Sequence, residues 1–129
     1  MIAGIGTDIV SVARMQAAID RWGLERFARR LLTESELRLL SDHPQPASFL
    51  AKRFAGKEAA VKALGTGFRY GISLKDIQLL NDPVGKPLLS FNGQAEQLSD
   101  ERGIVSHHVS LSDEDAYATA FVVLECESR

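Results

Sequence analysis

The 129-residue chain has a single cysteine, Cys126, so an intramolecular disulfide is excluded. A lone thiol fits a reducing compartment, and the cytoplasm is the expected location. One cysteine beside the neighbouring His107 and His108 is poor material for a zinc cage. No hydrophobic run approaches the roughly 20 residues that span a bilayer. The opening MIAGIGTDIV lacks the basic flank and long apolar run of a secretory signal, so no membrane association is expected. An excess of one charge is missing too. Fifteen Lys and Arg face seventeen Asp and Glu, for a formal net charge of −2, which argues against a nucleic-acid binder. There is no internal repeat and no low-complexity stretch. What remains is one globular domain over residues 1–129, large enough to bury a core without staples.

Residues 2–10 are apolar or glycine around one acid, Asp8, and predict a strand that ends near Asp8 or Ile9. Val12, Met15, Ile19 and Trp22 recur at helical spacing. Gly23 interrupts this stripe, and Leu24, Phe27 and Leu31 continue it. Thr33 with Glu36 three residues on reads as a capping box opening another helix. Residues 48–64 form the strongest helical segment, stopped by Gly65, Thr66 and Gly67. Beyond it, residues 72–82 and 88–91 read as a hairpin around Asp82, Pro83, Gly85 and Pro87. A polar helix over 93–102 and strands over 104–111 and 117–125 complete the chain. Helices followed by turn-linked strands predict an α+β fold, a largely antiparallel sheet packed with a long helix.

A few residues do not fit a bland core. Asp8 stands in the most apolar ten residues of the chain; taken alone it is as well explained by a turn or a helix cap. On the long helix, Glu58 and Lys62 are four apart, hence neighbours on one face. Lys57 points into the apolar stripe, where it either snorkels or meets a partner for its ammonium. Gly65, Thr66 and Gly67 read either as a plain helix stop or as a nest of N–H groups for phosphate oxygens, with Lys62 and Arg69 adding positive charge. His107 and His108 are adjacent in a strand and therefore face opposite sides. Residues 14–30 hold five arginines against two acids, a solvated face or a docking surface for an acidic partner. These signals leave three readings open: an enzyme, a nucleotide-binding module, and a structural oligomer.

In their order, the motifs are similar to those of the 4′-phosphopantetheinyl transferases. Gly4-Ile5-Gly6-Thr7-Asp8-Ile9 resembles the first motif of that family. Arg53 to Ala63, with Lys57-Glu58-Ala59 and Lys62-Ala63, resembles the second. The spacing resembles that of the short bacterial members, as do Arg26-Phe27, the stretch from Leu32 to Glu36, Leu64 to Gly67, Gly85-Lys86-Pro87 and His108 to Ser112. The resemblance covers nearly the whole chain. Phe54 departs from a more usual Trp, and Asp113 from a more usual His. Neither Asp113 nor His107 receives a role.

The resemblance implies transfer of 4′-phosphopantetheine from coenzyme A to a serine of acyl carrier protein, in fatty acid biosynthesis, with adenosine 3′,5′-bisphosphate released. It implies Asp8 and Glu58 as ligands of Mg²⁺, a cation served by hard oxygen donors. Whether Glu58 is also the general base stays open, as does Mg²⁺ against Mn²⁺. Lys62 would meet the phosphates. Gly65, Thr66 and Gly67 would supply donors there, Lys86, Pro87 and His108 would serve the nucleotide, and Arg53 the 3′-phosphate. Arg14, Arg21 and Arg26, with Met15 and Phe27 nearby, would dock the acidic carrier. A homotrimer with shared active sites is implied as well.

Overall fold

The computed structural model describes residues 1–127. Its first strand, β1 (Ile2–Ser11), runs past Asp8 to Ser11. Ser11 then caps α1 (Val12–Trp22), its Oγ accepting from the Arg14 N–H at 3.3 Å. Gly23 turns the chain at φ 85° and opens α2 (Leu24–Leu31). The capping box is present at α3 (Glu34–Leu40). Thr33 Oγ1 accepts from the Glu36 N–H, while Thr33 N–H donates to Glu36 Oε1 at 2.8 Å. Next comes the long helix α4 (Pro46–Leu64), with proline in its first turn and Gly65 in the left-handed region at its end.

The second half departs from expectation at one place. Residues 72–82 are not one strand, because Leu74–Asp76 form a single 3₁₀ turn. Asp76 reaches back to the Ser73 N–H and so favours the turn over an extended chain. The strand β2 (Ile77–Asn81) therefore starts late and pairs antiparallel with β3 (Pro87–Phe91). Helix α5 (Gly93–Glu101) precedes β4 (Ile104–Asp113) and β5 (Tyr117–Cys126). The long strands form an antiparallel sheet in the order β1-β5-β4, separate from the β2-β3 pair. The α+β reading holds, with two antiparallel sheets in place of one.

Helix α4 lies across the inner face of the larger sheet. Thirteen of its 19 residues are buried, many of them alanines, so the helix is covered over most of its surface. Two glycines set the distance between helix and sheet. A Cβ on Gly4 or Gly6 would lie 1.9 Å from the carbonyl oxygen of Ala63 or Ala59. Only glycine lets β1 sit on the helix backbone this closely. Two residues further on the same face of β1 comes Asp8. The outer face of the sheet leaves Ile5, Ile9 and Phe121 exposed.

Candidate active site

Asp8, Glu58 and Lys62 come together where β1 crosses α4. Lys62 Nζ donates to Asp8 Oδ1 at 3.1 Å and to the Thr7 carbonyl at 3.0 Å. The lysine side chain is 51% exposed and that of Asp8 17%. Glu58, one turn before Lys62, has its carboxyl pKa raised. Burial is the main cause, the Asp8 charge adds to it, and Lys62 partly offsets both. Two carboxylates and one half-exposed ammonium thus stand together with surplus negative charge. Among the described residues no three acid, histidine or cysteine side chains gather into a metal cage. This donor set suits Mg²⁺, which takes one or two protein carboxylates and completes its shell with water and substrate phosphates.

The glycine turn after α4 is not a nest. The N–H groups of Gly65, Thr66 and Gly67 donate to the carbonyls of Lys62 and Val61 at 3.0 to 3.2 Å. The Thr66 hydroxyl donates to the Gly67 carbonyl at 2.8 Å, and Thr66 is fully buried. The last carbonyls of a helix need donors, and here the turn supplies them, so these groups do not point at a ligand.

Arg53 does not join Asp8, Glu58 and Lys62. At about 100° per residue it lies roughly opposite Lys62 around the helix. It is 4% exposed. Its guanidinium carbon stands 4.3 Å from the Phe49 ring centre, and its Nη2 donates to Asn81 Oδ1 at 2.9 Å. Its Nε has no partner among the described residues. Burial lowers its pKa, and the nearby Glu36 charge partly opposes this. One turn on, Lys57 does not snorkel: its side chain is wholly buried and bonded to Glu36 at 2.7 Å.

Lys86, Pro87 and His108 meet at a small cavity of about 140 Å³, also lined by His107. The two histidines face opposite ways, as strand geometry requires. The His107 ring packs edge-on to Phe91, with centres 4.9 Å apart, and burial lowers its pKa. His108 pairs with Glu125 on the outer side. Because β4 is separated from β1 by β5, this cavity is two strands away from Asp8. One copy of the chain does not bring the two groups together.

Arg14, Arg21 and Arg26 are all exposed. Met15, expected near them, belongs to the core instead. Trp22, the last residue of α1 before the Gly23 turn, is 43% exposed. The guanidinium carbons of Arg21 and Arg26 stand 4.8 and 5.6 Å from its ring centre. Sequence reasoning placed Trp22 inside; the interrupting Gly23 was the signal that the stripe breaks there.

The sequence pattern of the 4′-phosphopantetheinyl transferase superfamily matches residues 4–122. The chain belongs to this family. The holo-[acyl-carrier-protein] synthase of Yersinia pestis (strain Pestoides F) is 50% identical over 124 residues, 96% of this chain and 98% of the relative. The crystal structure of the holo-[acyl-carrier-protein] synthase of Neisseria meningitidis superposes with a TM-score of 0.88 at 44% identity, covering 97% of this chain and 99% of that one. The Helicobacter pylori holo-[acyl-carrier-protein] synthase in complex with coenzyme A gives 0.80 at 35% identity, covering 94% and 99%.

Within this transferase chain, the two motifs that carried the resemblance meet in space. The glycines of the first seat β1 on the helix that carries the second. The second motif divides around α4. Glu58 and Lys62 face Asp8, while Arg53 and Lys57 face Glu36 and β2. Glu36 was legible only as a capping residue, and Asn81 carried no signal at all.

Proposed function

We propose that the chain transfers 4′-phosphopantetheine from coenzyme A to a serine hydroxyl of apo acyl carrier protein, in the cytoplasm and for fatty acid biosynthesis. The observation that carries this reading is the meeting of Asp8, Glu58 and Lys62 where β1 crosses α4, in a chain of the transferase family. The serine oxygen forms a bond to the phosphorus that bears the pantetheine arm. The bridging P–O bond of the pyrophosphate breaks, and adenosine 3′,5′-bisphosphate leaves. Asp8 and Glu58 would hold Mg²⁺, which when bound neutralises charge developing on the pyrophosphate. Lys62 releases Asp8 and donates to a phosphate oxygen. Glu58 is also placed as the carboxylate that takes the serine proton, directly or through water.

Gly65, Thr66 and Gly67 serve by shape, ending α4 two residues after Lys62 and leaving open space where a Cβ on Gly67 would stand. Lys86, Pro87 and His108 hold the nucleotide, and Arg53, whose Nε has no partner among the described residues, answers the 3′-phosphate. Arg14, Arg21 and Arg26, joined by Trp22, dock the carrier. The separation of His108 from Asp8 and the apolar outer sheet face with Ile5, Ile9 and Phe121 support a homotrimer whose active sites are shared between copies.

The test is intact-protein mass spectrometry of apo carrier incubated with the chain, coenzyme A and Mg²⁺, with a chelator control. A mass gain of one phosphopantetheine, lost on chelation, is expected. No gain on any carrier from folded protein would reject the reading. Light scattering of the active protein checks the assembly, and an active monomer would reject the trimer.

A further inference from the structure

The largest fully buried side chain among the described residues is a lysine, Lys57, and the chemistry above does not use it. Its ammonium donates three hydrogen bonds: to the Leu31 carbonyl at 2.9 Å, to Glu36 Oε1 at 2.7 Å and to the Leu74 carbonyl at 3.0 Å. All three protons are engaged. Glu36 is equally occupied. Its Oε1 also accepts from the Thr33 N–H at 2.8 Å, and its Oε2 accepts from the Leu79 N–H at 2.9 Å. One ion pair therefore ties α4 to the end of α2, the cap of α3, the 3₁₀ turn and β2.

These ties fix how α4 is turned about its axis. On the same side, a Cβ on Gly56 would lie 2.3 Å from Leu79 Cδ1, so the helix sits hard against β2 there. Glu58 is the very next residue after Lys57 and Lys62 follows five later, both on the side that meets Asp8. A helix has few ways to keep Glu58 aimed at Asp8 if the neighbouring anchor is lost, because rotation moves every side chain together. We infer that the buried Lys57–Glu36 pair is a positioning unit that holds Glu58 and Lys62 in register with Asp8. This deepens the proposed function, since it rests on Asp8 and Glu58 being the metal-holding groups.

The test reads metal affinity without turnover. Mn²⁺ is titrated by electron paramagnetic resonance into the full chain with coenzyme A present and no carrier protein, well below the melting temperature. The variants are Lys57→Met, the paired neutral Glu36→Gln with Lys57→Met, and Glu58→Gln. Removing one partner leaves a buried charge alone, so the paired variant carries the test if Lys57→Met folds poorly. The expected result is a roughly tenfold rise in the Mn²⁺ dissociation constant of the paired variant, in the range of lost supporting contacts around a metal. Parental affinity in the folded paired variant, with weakened affinity in Glu58→Gln, would overturn the positioning role and leave the metal reading standing. Parental affinity in Glu58→Gln itself would overturn the metal reading, and the inference with it.

Discussion

Lys57 and Lys62 lie five residues apart on one helix and each pairs with one carboxylate, yet they are physically different objects. Lys57 is buried with all its protons bonded to fixed acceptors, and burial lowers its pKa against the opposing pull of Glu36. Lys62 is half exposed, and its ammonium is shared between Asp8 Oδ1 and the Thr7 carbonyl. An exposed pair of that kind contributes about 0–1 kcal/mol, so Lys62 leaves Asp8 at little cost when phosphates arrive. Breaking the buried pair strands a charge in the interior. The contrast teaches that within one motif some residues hold the helix and others are free to act, and that exposure separates them.

The comparison breaks most visibly at Lys57. Lys57→Met should destabilise the fold by about 3–5 kcal/mol, the usual cost of orphaning a buried charge, measured by urea unfolding. The paired change of Glu36→Gln with Lys57→Met should recover much of it. Lys62→Met should do the reverse. Its unfolding free energy should stay within about 1 kcal/mol of the parent, while turnover on carrier protein falls roughly 10²–10³-fold through loss of a phosphate donor. A large stability loss at Lys62, or none at Lys57, would erase the distinction.

The sequence carried much of this, in an uneven way. The hydrophobic alternation, the Thr33–Glu36 cap and the glycine stop at the end of α4 are local signals, and the elements they announce are present. Glu58 and Lys62 were readable as neighbours because helical spacing is local too. Asp8 was not readable as their partner from spacing alone. Its placement depends on Gly4 and Gly6 touching α4 backbone some fifty residues away, a contact no local pattern encodes; the family resemblance supplied it. The ammonium of Lys57 pointed inward by helical phase, but its three acceptors come from three separate segments. Of the two readings of Gly65, Thr66 and Gly67, the helix stop is the one seen, because a glycine turn at a helix end first satisfies that helix.

The carrier-docking arginines give a smaller effect of another kind. Arg21→Glu should raise the KM for acyl carrier protein about tenfold at low salt, narrowing as salt rises, because exposed charges steer encounter and are screened. The KM for coenzyme A should not move. Equal rises in both constants would place Arg21 in the substrate cleft and remove the difference between docking and active residues.

The smallest effect concerns Glu58 in metal-free protein. Its carboxyl pKa is raised in the fold by burial and by Asp8, so folding favours its protonated form. That contribution to stability is complete below the ordinary carboxylate range and is lost as pH rises through the raised value. With chelator present, the parent should therefore lose stability as pH rises upward from the ordinary carboxylate range, and Glu58→Gln should lose less. The difference is a shift of a few degrees at most, since the group is only partly buried and solvent screens it. Melting curves across that pH range decide it. Adding Mg²⁺ with coenzyme A should abolish the parent's loss, because the bound cation favours the ionised carboxylate. A parent whose melting temperature follows that of Glu58→Gln at every pH would mean that the carboxylates by Lys62 carry no surplus charge, and that the two sides of α4 differ less than their exposure implies.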